Sequence, residues 1–120
     1  MGRVQELIAY KKAYDLALSL HLTSKNFPSA EKFAMTDQIR RSSRSVCANI
    51  AEAYTRRRSK KHFISKLNDA QSENSETQVW IDFSKDLKYV DDTTYNELLE
   101  QNNEVGKLLH FMIENLEKFM

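Results

Sequence analysis

Apolar residues return every three or four positions along four long stretches of the chain, and short polar segments separate these stretches. That spacing places apolar side chains on one face of an α-helix. The pattern therefore predicts four helices, over about residues 4–23, 30–54, 60–88 and 94–120. Long helices joined by short connections predict an all-α fold, an antiparallel up-down-up-down four-helix bundle, with residues 1–120 forming a single domain.

The seam of the second helix is the most regular. Its members recur at steps of four and three residues, so we expect this face to be buried. They are Ile39, Ser43, Val46, Ile50 and Ala53. The fourth helix has a comparable seam, which Asn102 and Gly106 interrupt; its apolar members are Tyr95, Leu98, Leu99, Val105, Leu109, Met112, Ile113 and Leu116.

The first helix is apolar on two sides. One stripe includes Tyr14, Leu18 and His21, and a second stripe, nearly opposite, contains Ala9, Ala13, Leu16 and Leu20. A helix that is apolar on two sides needs two partners. One partner is the core of the domain, and the other could be a neighbouring subunit.

The third helix has a polar centre. Its apolar spacing is given by Phe63, Leu67, Ala70, Ile81 and Leu87. Between residues 68 and 78 only Ala70 is apolar, so polar side chains such as Asn74 and Thr77 must face the core or an interface. Polar groups placed inward need hydrogen-bond partners.

The chain has few helix breakers, with 2 Gly and 1 Pro. Pro28 ends the first helix, and Ser29 and Ser59 are candidate N-caps for the second and third helices. Thr94 and Glu97 have the spacing of a capping box at the start of the fourth.

Composition narrows the class of protein. The chain is 41% hydrophobic and 29% charged, which is typical of a globular domain. Cys47, the single cysteine, cannot form an intrachain disulfide, and we expect no metal site and no cofactor. No apolar run approaches the ~20 residues that span a bilayer, and the first residues lack a hydrophobic signal core, so we expect a cytoplasmic protein with no membrane association.

Charge is sorted by segment. The chain carries a net charge of +1 overall, yet residues 38–62 hold eight basic residues against the single acid Glu52, a net charge of +7. Residues 63–120 hold 5 basic and 12 acidic residues, a net charge of −7. Such an asymmetry indicates either a charged surface or a scheme of internal pairing.

The chain contains the motifs QIRR at residues 38–41 and NIAE at residues 49–52, with Phe27-Pro28 upstream and Glu76, Asp86, Leu87 and Tyr89 downstream. Through these motifs the chain resembles the 23S rRNA intervening-sequence protein family of four-helix bundle proteins. A bundle related to this family is the accessory protein of diversity-generating retroelements, a pentameric barrel thought to bind nucleic acid. The resemblance implies a homopentamer and brings no settled activity with it. The family usually has Gly after NIAE, where this chain has Ala53.

Five basic residues cluster where the second helix meets the third, and we call them the basic corner: Arg56, Arg57, Arg58, Lys60 and Lys61. The phosphate backbones of nucleic acids attract such clusters whatever their base sequence. The sequence therefore predicts a non-enzymatic homo-oligomer that binds RNA or DNA. Arg40 and Arg44 lie one helical turn apart and are further candidate contacts. Tyr54 could stack on a base. Alternatively, the arginines form structural ion pairs, since Arg41 is expected opposite Glu73, and Arg40 within reach of Glu73 and Glu76. The protein would then be a protein-interaction adaptor or a structural oligomer that does not bind nucleic acid.

Other polar residues give weaker signals for chemistry. Glu52 has no second acid or base at helical spacing, so anchoring a basic side chain is a better role for it than catalysis. His110 and Glu114 are four residues apart, but two ligands do not make a metal site. His21 is expected in the core, and Trp80 with Phe83 suggests an interface. The residues therefore indicate no enzyme.

Overall fold

The computed structural model describes residues 2–120 and contains four long helices, which confirms the all-α four-helix bundle. They are α1 (Ile8–Ser24), α2 (Met35–Thr55), α3 (Lys60–Asp86) and α4 (Asp92–Glu114). Short 3-10 turns precede α1 (Val4–Glu6), lie between α1 and α2 (Ser29–Glu31) and follow α4 (Leu116–Lys118). Each helix packs against the two beside it, α1 and α3 both lying on α2 and α4, so α1 and α3 occupy opposite corners of the bundle.

Helix boundaries differ from the predicted ones where local capping decides them. The first helix begins at Ile8 because Leu7 is extended, with ψ 130°. The second begins only at Met35, and its first turn is held by the Glu31 carboxylate, which accepts a hydrogen bond from the Met35 N–H. The N-cap of α2 is Ala34 and not the predicted Ser29.

The caps of the last two helices are side-chain oxygens. Ser59 caps α3 as predicted, since its hydroxyl accepts from the His62 N–H. The cap of α4 is Asp91 rather than Thr94, because the Asp91 carboxylate accepts a hydrogen bond from the Thr94 N–H at 2.7 Å. This hydrogen bond lowers the pKa of Asp91. Lys88 ends α3 with a left-handed φ of 62°.

The core is built from the predicted seams, with a correction on α3. All five seam residues of α2 are buried. On α1 the buried stripe is Ala9, Ala13, Leu16 and Leu20, whereas Tyr14, Leu18 and Leu22 are exposed. After α3, Leu87 is 47% exposed and not part of the core, because the helix ends at Asp86 and Leu87 is its C-cap.

The polar centre of α3 faces inward, as predicted. Asn74 and Asn102 form a buried reciprocal pair: the Asn74 amide donates to the Asn102 carbonyl at 3.1 Å, and the Asn102 amide donates to the Asn74 carbonyl and side-chain oxygen. The Thr77 hydroxyl donates to the Ser42 hydroxyl at 2.9 Å. Gly106 permits close approach of α4, since a Cβ there would lie 3.3 Å from the Asn74 amide nitrogen.

Candidate nucleic-acid interface

The basic corner is a tight connection between α2 and α3. Backbone N–H groups of Arg56 and Arg57 bond to carbonyls three residues earlier, which tightens the last turn of α2. Ser59 then caps α3, so only four residues join the two helices. This geometry places five cationic side chains at one end of the bundle.

The members of the basic corner differ in how far they are engaged. Arg56, Arg58 and Lys61 are exposed, and within residues 2–120 their side chains make no hydrogen bond or ion pair. The Arg57 guanidinium is half-buried and donates to the Tyr54 carbonyl at 2.7 Å. Lys60 pairs with Glu117 at 3.3 Å, both side chains being mostly exposed.

Tyr54 does not offer an open ring for base stacking. It is 5% exposed, and the Arg57 guanidinium lies over its ring at 3.9 Å from the centroid. A base would have to displace Arg57 and enter the core to reach the Tyr54 ring. Burial of the helix terminus therefore gives Tyr54 a packing role in place of the predicted stacking role.

Arg40 holds the end of α1. Its guanidinium donates to the Ser24 hydroxyl at 2.8 Å and to the His21 carbonyl at 3.3 Å. Carbonyls in the last turn of a helix lack intrahelical partners, and a cation there also complements the helix dipole. Arg40 therefore has a structural partner, but it lies on α1 rather than on the acids of α3.

Arg44 lies one turn further along α2 and contacts the same element. One of its terminal nitrogens is 3.1 Å from Nδ1 of His21. Desolvation and the neighbouring Arg40, Lys25 and Arg44 charges lower the pKa of His21, so the neutral ring accepts this bond at pH 7. His21 is half-buried beside an open groove and is not the core histidine that the sequence predicts, because its stripe of α1 faces outward.

Arg41 pairs with an acid of α3, one turn away from the predicted partner. Its guanidinium lies 3.0 Å from the Glu76 carboxylate and also donates to the Gln38 side chain. Glu73 is not its partner, and Oε1 of Glu73 is buried without a hydrogen bond within the described chain. The register of the α2–α3 hairpin therefore differs by about one helical turn from the expected register.

The structure does not bring Arg40 and Arg44 to the basic corner. Arg40 lies 16 positions before Arg56, and Arg44 lies 12 positions before Arg56. Since each helical residue advances about 1.5 Å, these distances are about 24 Å and about 18 Å along α2. The predicted binding residues thus form two separate groups.

Lys66 and Glu117 are site residues that sequence reasoning missed. Lys66 pairs with Glu52 at 2.9 Å, which confirms the anchoring role predicted for that acid. The pair lowers the pKa of Glu52 and raises the pKa of Lys66, through the hydrogen bond first and the charges second. Facing residues of an antiparallel hairpin have a nearly constant sum of residue numbers, so the Arg41–Glu76 pair places Glu52 opposite residue 65, next to Lys66.

Groups that could support catalysis or metal binding are poorly placed. Nowhere in residues 2–120 do three or more His, Cys, Asp or Glu side chains come together as a metal site. His110 and Glu114 form an exposed pair at 3.7 Å. Burial raises the pKa of Cys47 to about 11, so its thiol stays protonated at pH 7 and is a poor nucleophile. Across the described residues, every helix is too short or too polar to cross a bilayer.

Comparison with known proteins agrees with this architecture. The model of the 23S rRNA-intervening sequence protein family matches residues 5–111, so the chain belongs to that family. A crystal structure of a protein of unknown function from the S23 ribosomal protein family of Bacteroides thetaiotaomicron shares 31% sequence identity with it. The match covers 89% of this chain and 96% of the Bacteroides chain, with a TM-score of 0.80. None of the curated proteins compared with the chain matches it.

Proposed function

We propose that this protein is a non-enzymatic homo-oligomer that binds RNA or DNA through the basic corner without reading sequence. The observation that carries the proposal is the set of three neighbouring cations, Arg56, Arg58 and Lys61, which are exposed and have no acid partner within residues 2–120. Nucleic-acid backbones bind such groups by releasing condensed counterions.

The two other cations of the basic corner contribute less before binding. Lys60 shares its charge with Glu117 through an exposed pair, which is worth little in water and is easily exchanged for a phosphate. Arg57 keeps its guanidinium against Tyr54 and helps to fix the shape of the connection. We therefore expect most of the affinity to come from the three exposed cations.

Arg40 and Arg44 are secondary contacts in this proposal. Both are engaged at the end of α1, through Ser24 and His21. A nucleic acid that touched them and the basic corner at once would have to extend about 24 Å along α2. The proposal therefore does not depend on them.

Assembly would strengthen binding at the basic corner. One corner makes few phosphate contacts, whereas a ring of identical chains presents several corners to one strand, and the second contact becomes intramolecular. The family resemblance implies five copies. The exposed apolar stripe of α1, with Tyr14, Leu18 and Leu22, supplies a surface that such assembly would cover.

The test is a fluorescence anisotropy titration with a labelled single-stranded RNA and a labelled DNA duplex at low salt. The triple variant Arg56→Gln, Arg58→Gln, Lys61→Gln should lose at least tenfold in affinity. The matched control is Lys25→Gln, Lys32→Gln, Lys88→Gln, which removes the same charge at the opposite end of the bundle. Equal losses in both variants would mean that net charge, and not the basic corner, governs binding.

A second candidate is a protein-interaction adaptor that does not bind nucleic acid. The exposed apolar side chains of α1 and α3 favour it, since large exposed patches mark interaction sites. Recovery of one stoichiometric protein partner after nuclease treatment, together with no anisotropy change, would support the adaptor and exclude nucleic-acid binding.

A further inference from the structure

An apolar groove runs between α1 and α2. Its floor and walls are Tyr10, Tyr14, Ala17, Leu18, His21, Arg44 and Cys47, and they enclose about 420 Å³. Tyr14, Leu18 and Leu22 are 49%, 51% and 61% exposed. Since they are spaced four residues apart, they lie along one face of α1. We call this surface the α1 groove.

A second apolar surface lies on the outer face of α3, near its C-terminal end. Val79, Phe83 and Leu87 are spaced four residues apart and are 46%, 49% and 47% exposed. Trp80 lies beside them, with its ring 5.9 Å from that of Phe83. We call these four residues the α3 ridge. It is convex, because the ridge stands on a single helix, whereas the α1 groove lies between two.

The two surfaces lie on helices that occupy opposite corners of the bundle. Both surfaces are on outward faces. No movement of side chains brings the ridge of a chain into its own groove. A second copy can place its ridge in the groove of the first.

The charges around the two surfaces are complementary. Arg44 lines the α1 groove, and Lys25 is close enough to influence His21. Asp86 follows Phe83 by three residues and so borders the α3 ridge. Within residues 2–120, no carboxylate lies within 4.0 Å of Arg44, and no basic nitrogen lies within 4.0 Å of Asp86. Arg44 keeps its contact with the neutral ring of His21, and neither its charge nor that of Asp86 is neutralised by an ion pair, so each can pair with a group on another molecule.

We propose that the α3 ridge of one copy of this chain docks in the α1 groove of a second copy. This inference rests on the homo-oligomer of the proposed function and assigns its contact surfaces. The contact joins two different patches, so it repeats head to tail and closes a ring when the rotation allows. Arg44 of the receiving copy then faces Asp86 of the docked copy, while apolar side chains fill the groove.

Light scattering coupled to size exclusion tests the two surfaces separately. Leu18→Glu places a charge in the α1 groove, Phe83→Glu places one on the α3 ridge, and each variant should elute at the 14.0 kDa of a monomer. Phe111→Glu is the matched control, since Phe111 is a 47% exposed phenylalanine on α4, outside both surfaces. It should keep the wild-type mass. Far-ultraviolet circular dichroism confirms that each variant is folded.

Mixing the two monomeric variants tests the head-to-tail arrangement. The Leu18→Glu chain keeps an intact ridge and the Phe83→Glu chain keeps an intact groove, so together they should form a complex of about 28 kDa, twice the monomer mass. A mixture that stays monomeric would overturn the pairing of groove with ridge.

The remaining outcomes separate this inference from the proposed function. An oligomeric wild type whose mass neither substitution changes would overturn the inference and leave nucleic-acid binding intact. A monomeric wild type that still binds RNA or DNA would overturn the inference and the homo-oligomer together, while the role of the basic corner would stand.

Discussion

Nζ of Lys60 lies 3.3 Å from Oε1 of Glu117, so the first residue of α3 is tied to the segment that follows α4. Both side chains are exposed, at 63% and 74%, and the pair therefore contributes little to stability. Its importance is electrostatic, because Glu117 is an acid that lies against the basic corner.

Removing the Glu117 charge should strengthen nucleic-acid binding. An exposed charge pair is worth about 0.2–1 kcal/mol, so Glu117→Gln should raise the affinity for RNA or DNA by a factor between about 1.4 and 5. Glu97→Gln, at the opposite end of α4, is the control and should leave affinity unchanged. Anisotropy titrations measure both. An unchanged or weaker affinity for Glu117→Gln would mean that Lys60 does not contact phosphate.

Arg40 should prove structural. Arg40→Met removes two hydrogen bonds at the end of α1 and leaves the Ser24 hydroxyl and a helix carbonyl with fewer partners, so unfolding in urea should show a loss of about 1–2 kcal/mol. Arg41→Met breaks the exposed pair with Glu76 and should cost less than about 1 kcal/mol. Nucleic-acid affinity that falls as far in Arg40→Met as in the basic-corner variant would contradict the structural assignment.

The Asn74–Asn102 pair should be one of the most sensitive polar contacts of the core. Asn102→Ala removes the Nδ2 donor from the buried side-chain oxygen and carbonyl of Asn74 and opens a small cavity, which should cost about 3 kcal/mol in urea unfolding. Substituting both residues with Leu removes both buried polar side chains, so no side-chain oxygen is left without a donor, and the cost should be smaller than that of the single change. Equal costs would show that the pair acts only through its volume.

The Glu52–Lys66 pair predicts a pH dependence of stability. The pair lowers the folded pKa of Glu52 below its ordinary value, so the stability it gives is present above about pH 4.3 and is lost as pH falls through the folded pKa. Glu52→Gln should be less stable than wild type at pH 7, and the difference should disappear in acid. Urea unfolding at several pH values measures it; a difference that stays constant with pH would rule out an electrostatic origin.

Hydrophobic spacing predicted the bundle and the core face of α2, because Ile39, Val46 and Ile50 leave only one face for burial. It could not choose between the stripes of α1. Leu18 and Leu16 are equally apolar, and only packing on α2 and α4 decides that Leu16 is buried.

The basic corner was predictable from local charge, but its neighbours were not. Glu117 meets Lys60 only because α4 returns to the same end of the bundle, 57 residues later. Arg40 meets α1 rather than α3 because side-chain direction depends on how each helix is rotated about its axis, which charge spacing does not specify.

The salt dependence of binding is the most direct test of the central claim. For a labelled single strand, log K should fall linearly with log salt concentration, and each phosphate contact contributes about −0.7 to the slope. Replacing Arg56, Arg58 and Lys61 with Gln should therefore make the slope less negative by about 2, while the variant that lacks Lys25, Lys32 and Lys88 keeps the wild-type slope. Wild-type binding that is absent at low salt, or a slope unchanged in the basic-corner variant, would contradict the account.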